Sequence, residues 1–342
     1  MQILQPALLS TAFEELRLRC CLEGISILTN IPKKHLRRAS NLMFEPKTIL
    51  NSDASKNQEP KIFFYGFSSY IINEKNGKKR QITEPHPEIQ FVYKELGKWF
   101  SQLSPAHKNA FGFVSERNAK MAVEELTYLF KKGGYHFGID IAEAFPSITD
   151  KIISLTLIDL GVEECLAEAL AQFVTYRHKG QRRLPQGSSS SPALLNLVYK
   201  PMCQEFEKTC QKYQLQWSIY VDDINFASSK IISRNIQQEL LEIPKKFGFR
   251  IKSIKIKNNC GTTIPHLLGL TIVDGKLHIS RHKKNEIRRK MYAFIKHGAY
   301  SEHIAMGLMM YVQYIYGKDQ KKWPNWLLGK NAGEIRNGIT TI

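Results

Sequence analysis

Acidic residues are scarce in this sequence. Asp and Glu number 31 against 49 Lys and Arg, which leaves a formal net charge of +18 at pH 7 over 342 residues. This imbalance excludes an acidic, self-solvating chain and points to a polyanionic partner, nucleic acid first, because basic residues recur in several separate clusters. Cysteine is scarce as well: Cys20, Cys21, Cys165, Cys203, Cys210 and Cys260 form no C-x-x-C pair. That excludes a disulfide-dense secreted scaffold and offers no zinc framework, so reduced thiols in an intracellular protein are expected. Long apolar runs are missing too. None approaches the roughly 18 residues of a membrane span, and the opening MQILQPALLS has no charged leader region before Glu14 and Glu15. The expected setting is the cytoplasm, with no membrane partner. No internal repeat occurs, and Ser188–Ser191 is the one low-complexity run.

What is present is a large apolar fraction, 43%, enough for a sizeable core, and a length that calls for two or three subdomains. Residues 1–45 read as basic helices: apolar residues recur at helical spacing from Leu8 to Leu22, and Asn30 caps the start of Pro32-Lys-Lys-His-Leu-Arg-Arg38. Asn51 to Pro60 reads as a polar linker. A β pattern covers Ile62 to Thr83, with Asn76-Gly77 as a type I′ turn and Lys75, Lys78, Lys79 and Arg80 at its tip. Ser115 is expected to cap a helix through Phe130, and strand 135–141 follows. Helices are then expected to Gly161, from about Glu163 to Tyr176, from Ala193 to Tyr213 and around Ile236 to Phe247. Strands near Arg250–Ile256 and His266–Ile272 lead to a basic helical end, Arg281 to Tyr316.

The stretch Ser218-Ile-Tyr-Val-Asp-Asp-Ile-Asn-Phe-Ala227 sets Asp222 and Asp223 in an apolar run. Two such charges about 4 Å apart repel by about 4 kcal/mol at an effective dielectric of about 20, so a positive partner is expected. Trp217, Ile219 and Val221 alternate before the pair and Ile224 and Phe226 after it, which puts the acids at the tight turn of a hairpin. A second apolar strand, Phe137-Gly-Ile-Asp-Ile141, delivers Asp140 at its end. A lone acid there is more often a cap, and an Asp-Asp turn is often merely solvated. Two such strands side by side, however, would bring Asp140 to Asp222. Hard oxygen ligands suit Mg2+, and two ions about 4 Å apart can clamp an in-line phosphoryl transfer.

Asp140 with Phe145, Leu184-Pro-Gln-Gly-Ser-Ser-Ser-Ser-Pro192 and Tyr220-Val-Asp-Asp223, in this order and spacing, resemble motifs A, B and C of reverse transcriptases. Within that family the chain is most similar to the bacterial retron and group II intron-like branch, over a region from near Ile62 to about Ile295. The resemblance implies an α+β right-hand polymerase fold. Its parts would be an N-terminal basic helical extension (1–60), fingers (61–135), a palm with an antiparallel sheet (136–275, helices of about 155–190 contributing to the fingers) and a helical thumb (276–342). Asp140 and Asp222 would bind two Mg2+ (or Mn2+) ions, with the Ile141 carbonyl as a further ligand and Asp223 in support. Phe145 would be a steric gate against the ribose 2′-hydroxyl; Gln186 and Gly187 would pack on the nascent base pair, and Arg80 with Lys78 would grip the dNTP triphosphate.

Gly248–Lys255 resembles motif D, with Lys255, ahead of Lys252 and Lys257, as proton donor to the pyrophosphate. Leu268 and Gly269 resemble the primer grip. Lys284, Arg288, Arg289 and Lys290 share a helix whose other face is Ile287, Met291, Phe294 and Ile295, and in a thumb they would follow the phosphates of an RNA–DNA duplex.

The implied activity is RNA-directed DNA synthesis from dNTPs on a dedicated noncoding RNA in the bacterial cytoplasm, within antiviral defence and with an effector or toxin as partner. Leu267-Leu-Gly269 stands where a retron enzyme usually has Val-Thr-Gly, so a divergent retron enzyme and a non-retron defence reverse transcriptase are both open. The alternatives are a group II intron-like polymerase without accessory domains, none being expected after the thumb, and a catalytically silent RNA-binding scaffold.

Overall fold

The computed structural model describes residues 6–44, 50–51, 61–64, 66–73, 77, 79–132, 134–178, 180–252, 257–259, 266–273, 275–298 and 300–317. The basic N-terminal segment forms helices α1 (Pro6–Thr29) and α2 (Lys33–Phe44). Asn30 does not cap α2; its φ of 57° places it in the left-handed region just past α1, a conformation Asn tolerates at a helix end. These helices are no separate arm. Leu18, Leu22, Ile25 and Leu36 enter the main core, Arg17 pairs with Glu168, and Cys21 Sγ lies 3.2 Å from Cys165 Sγ. The five described cysteines are free thiols, and Cys260 lies outside the described residues.

Strands β1 (Leu50–Asn51), β2 (Lys61–Phe64), β3 (Phe67–Asn73) and β4 (Lys79–Pro85) form an antiparallel sheet in that order. Asn51 therefore belongs to a strand rather than the linker. Asn73 pairs with Lys79, so the connection is 74–78, whereas a two-residue Asn76-Gly77 turn requires residues 75 and 78 to pair. Lys75, Asn76 and Lys78 themselves lie outside the described residues.

Next come α3 (Gln90–Leu103) and α4 (Ala119–Thr127). Asn118, not Ser115, caps α4: its Oδ1 accepts from Met121 N at 3.0 Å. Strand β5 (Tyr135–Asp140) leads to α5 (Asp150–Asp159), α6 (Glu164–Val174), β6 (Tyr176–His178), β7 (Gln181–Arg183) and α7 (Ser191–Tyr213).

Strands β8 (Gln216–Tyr220) and β9 (Asp223–Ser228), helix α8 (Arg234–Lys246) and strand β10 (Lys257–Asn259) complete the central unit. Its sheet has the antiparallel order β10-β5-β9-β8. Because side chains alternate along a strand, one face is apolar: Phe137, Ile139, Trp217, Ile219, Ile224 and Phe226 pack in the main core. Phe206 of α7 fits against that face, its ring 5.4 Å from Phe226 and 5.7 Å from Trp217. The opposite face carries His136, Gly138 and Asp140 of β5 beside Asp223, Asn225 and Ala227 of β9.

The segment expected to be one strand over His266–Ile272 is a hairpin, β11 (His266–Leu267) and β12 (Leu270–Val273), closed by Leu268 (φ 50°) and Gly269 (φ 82°). Two consecutive positive φ values match a type I′ turn; the apolar Leu268 hides it from a reading by polarity. Strand β13 (Lys276–Ile279) extends the hairpin. The basic end is two helices, α9 (Arg281–His297) and α10 (Glu302–Tyr316), parted at Gly298, whose φ of 58° ends α9. Leu270, Ile272, Ile287, Met291, Leu308 and Val312 form a second core with Val123, Leu126 and Ala227, which covers the polar face of the central sheet. Among the described residues no helix is long and apolar enough to cross a membrane.

Candidate active site

The register of β5 and β9 sets Asp140 directly opposite Asp223. Residues paired in this way have Cβ atoms about 4.5–5.5 Å apart, and like charges there are destabilising. Asp222 falls in the Val221-Asp222 turn between β8 and β9 rather than within a strand. Val221 takes φ 62°, rare for a β-branched residue and a mark of stored strain at a constrained position. The turn is braced from two sides. Ile141 N donates to Asp222 O at 2.9 Å, Ala142 N to Arg250 O at 2.8 Å and Lys252 N to Asp140 O at 2.9 Å. In extended backbone the N–H and C=O of one residue point to the same edge, so the Ile141 carbonyl is directed toward the Asp222 turn. On the other side Phe111 N donates to Ile219 O, Ile219 N to Asn109 O, and the Arg117 guanidinium ties the loop through the carbonyls of His107, Lys108 and Ala110.

Asp140 is 2% exposed, while Asp222 and Asp223 are half-buried. Tyr199 of α7 is also buried, and its hydroxyl has no hydrogen-bond partner among the described residues. Burial, then the charges of Asp222, Cys203 and Asp140, push its pKa up, so the phenol is a neutral donor close to both acids. A divalent cation fits this donor set. The Asp140 and Asp222 carboxylates both act on Tyr199, and a bound water would give the Tyr199 hydroxyl its acceptor. Among the described residues no group of three or more His, Cys, Asp and Glu is placed to hold a metal ion by itself. An open site of one or two carboxylates, completed by water and substrate phosphate, is the usual arrangement for Mg2+.

Phe145, in the turn after Asp140, is half-buried and packs at the edge of the main core. Phe113, which belongs to no motif or apolar period of the sequence, meets it edge to face at 6.2 Å. Phe113 has φ 58° and is 57% exposed, an unusual combination for a bulky aromatic. Gln186 and Gly187 are joined to the β1–β4 sheet: Thr83 N donates to Gln186 O at 2.9 Å. A Cβ on Gly187 would stand 2.9 Å from Ile82 Cγ2 and 3.0 Å from Thr83 O, and its φ is 137°, so only glycine suits the position. Arg80 lies exposed on β4, two residues before Ile82. Ser190 stands at the N-cap position of α7 without a side-chain cap bond, and Pro192 is in its first turn. Lys78 and Lys255 lie outside the described residues.

Leu268 and Gly269 form the β11–β12 turn, and Gly269 O accepts from Ser280 N at 3.1 Å. Gly269, His266, Arg281, His282 and Asn285 line a cavity of about 480 Å³ at the start of α9. Arg288 and Arg289 are exposed. The Lys284 pKa is lowered by burial first and then by Arg288 and Arg281, which marks a cationic stripe. Lys290 turns to Glu286, its Nζ 2.7 Å from Oε1, and so is committed within the helix.

A profile of the family described as reverse transcriptase (RNA-dependent DNA polymerase) matches residues 72–272. Among curated proteins, the chain is similar to the retron Ec86 reverse transcriptase of Escherichia coli, 24% identical over 291 residues, which cover 81% of each chain. It is also similar to the Ec83 enzyme of that organism (23% identical, 67% of this chain and 75% of the relative) and the Ec73 enzyme (28%, 64% and 72%). Similar solved structures include a foamy viral protease-reverse transcriptase in complex with double-stranded DNA (TM-score 0.46, 13% identical, 95% of this chain and 56% of that one). Another is apo telomerase of Candida tropicalis, truncated from its C-terminal domain (TM-score 0.44, 13% identical, 62% and 54%). The chain thus spans about half the length of these solved chains. The β-sheet bearing acids at its hairpin, flanked by helices and by a strand-and-helix unit at each end, is the expected right-hand polymerase fold. With the profile covering more than half of its residues, the chain belongs to the family of reverse transcriptases (RNA-dependent DNA polymerases), and bacterial retron enzymes are among its relatives.

Proposed function

We propose that this chain extends DNA with dNTPs on an RNA template, at a site built on Asp140, Asp222 and Asp223. The observation that carries the reading is the placement of Asp140 opposite Asp223 with Asp222 bonded to the next backbone amide. Carboxylates set so near one another repel, and a bound cation would relieve that repulsion. Asp140, Asp222 and the Ile141 carbonyl would hold two Mg2+ ions, which supply charge stabilisation to the transferring phosphoryl group.

The surrounding residues bind and sort the nucleotide. Arg80 takes the triphosphate as a fork of donors, Gln186 and Gly187 meet the nascent base pair, and Phe145 denies room to a 2′-hydroxyl. Lys255 protonates the departing pyrophosphate. Lys284, Arg288 and Arg289 follow the duplex phosphates, with Leu268 and Gly269 at the primer. The division into an N-terminal extension, fingers, palm and thumb follows from these roles.

Similarity to retron enzymes supports the finer reading: a dedicated noncoding RNA as template, within antiviral defence in the bacterial cytoplasm, with an effector protein as partner. Primer extension on RNA tests the activity, and sequencing of the copurifying nucleic acid tests the template. A covalently joined RNA–DNA product supports the retron reading; repetitive or protein-linked DNA overturns it in favour of another defence class.

A further inference from the structure

Behind the acids, the polar face of the central sheet holds a line of side chains that polymerisation does not use directly. His136 is 0% exposed and Asn225 2% exposed. The His136 Nε2 to Asn225 Oδ1 distance is 2.9 Å, and Asn225 Nδ2 donates to Asp223 Oδ1 at 3.3 Å. The chemistry of the last contact orders the others. An ionised carboxylate only accepts, so the Asn225 amide must present its NH2 to Asp223 and its carbonyl to His136. The carbonyl also only accepts, so Nε2 of His136 must carry a proton. Reversing either group would set two acceptors against each other, and thus the His136 tautomer, the Asn225 orientation and the Asp223 rotamer are fixed together.

The backbone makes room for this line. Gly138 pairs with Asn225 across the strands, and a Cβ on it would stand 3.3 Å from His136 Cε1 and 3.4 Å from Asn225 Oδ1. A side chain at this register would press on both groups, so the glycine leaves His136 its diagonal reach to Asn225. Such polar groups are costly inside a core unless bonded. Here they lie on a face covered by the second core, through Ala227, Val123 and Leu126, where apolar residues would fill the same space.

We propose that His136 and Asn225 are positioning residues: a buried relay that fixes the Asp223 carboxylate for cation binding at the Asp140–Asp222 turn. The proposal rests on the polymerase reading of that turn. It attributes the pairing of the acids with cations partly to groups two and four residues behind them along the strands, which touch neither substrate nor ion.

The test uses the full chain with Mn2+ as probe. Titrated by electron paramagnetic resonance, Asn225→Ala and His136→Leu should bind Mn2+ about tenfold or more weakly than wild type, as loss of a ligand-orienting bond does elsewhere. In primer extension both should lower kcat with KM for dNTP unchanged. His136→Gln, which keeps a donor for Asn225 Oδ1, should recover most of the Mn2+ affinity. Melting curves select folded variants; if His136→Leu does not fold, Asn225→Ala and Asn225→Ser carry the comparison, the shorter Ser losing the reach to His136 and binding as weakly as Ala. Mn2+ affinity within twofold of wild type in folded Asn225→Ala, or His136→Gln no better than His136→Leu, overturns the relay. A wild type that binds Mn2+ but adds no nucleotide refutes the polymerase reading instead, and the Mn2+ titrations still decide the relay.

Discussion

Asp140 and Asp223 stand directly opposite each other on adjacent antiparallel strands, and Ile141 N reaches across to the carbonyl of Asp222 at 2.9 Å. At about 5 Å and an effective dielectric of about 20, two carboxylates repel by about 3 kcal/mol. The bond from Ile141 holds the turn closed against that repulsion. The site is therefore arranged in advance of its cations, and each of its parts carries a measurable consequence.

Replacing Phe145 with Val should raise ribonucleotide incorporation relative to dNTP incorporation by about tenfold or more, since a missing ring leaves a cavity of several carbon atoms at the sugar. Competition of rNTP against dNTP in primer extension measures it. An unchanged ratio would place the discriminating wall elsewhere, and the Phe113 ring 6.2 Å away would then be the next to replace.

Gly187→Ala should lower stability by about 1–3 kcal/mol, the usual cost of a strained backbone, and raise KM for dNTP. The added Cβ would meet Thr83 O at 3.0 Å, next to the bond that joins Gln186 to β4. Thermal unfolding and dNTP titration read the two effects. Wild-type values for both would contradict the close approach.

Neutralising Arg288 and Arg289 to Gln should weaken duplex binding and reduce its salt slope by about one for each phosphate that is no longer neutralised. Lys290→Gln should change the slope little, because Lys290 is held by Glu286. Equal slopes for the Arg pair and Lys290 variants would contradict this division of the helix.

Glu286 carries the pH dependence of α9. Its bonds to Lys290 first and then Lys283 hold its pKa down to about 2 from 4.5. A depressed folded pKa stabilises above the unfolded value, and the gain is lost as pH falls through the folded one. Glu286→Gln should therefore melt below wild type at pH 7, by a gap that stays constant down to about pH 4.5 and narrows toward about pH 2. A gap that does not narrow would contradict the pairing.

Much of the site was legible in the sequence because its chemistry is local. Alternating apolar residues around Asp222-Asp223 and before Asp140 fix which strands carry the acids, and the structure pairs those strands. What was illegible depends on contacts distant in sequence or on apolar turns. The Leu268-Gly269 turn looked like strand interior, and Asn118 took the cap expected of Ser115 because its Oδ1 reaches Met121 N. Phe113 and Arg117 lie in a loop whose shape comes from β8, not from any period of its own. His136 and Asn225 did carry a signal, being polar residues at the same two-residue phase as Asp140 and Asp223.

The most direct measurement is single-nucleotide primer extension on an RNA template with Mg2+, comparing wild type with folded Asp222→Asn. As the proposed direct cation ligand, Asp222 should supply several kcal/mol of transition-state stabilisation, so the variant should be slower by about a thousandfold or more, with duplex affinity retained. Comparable rates for the two, or no incorporation by the wild type, would contradict the account.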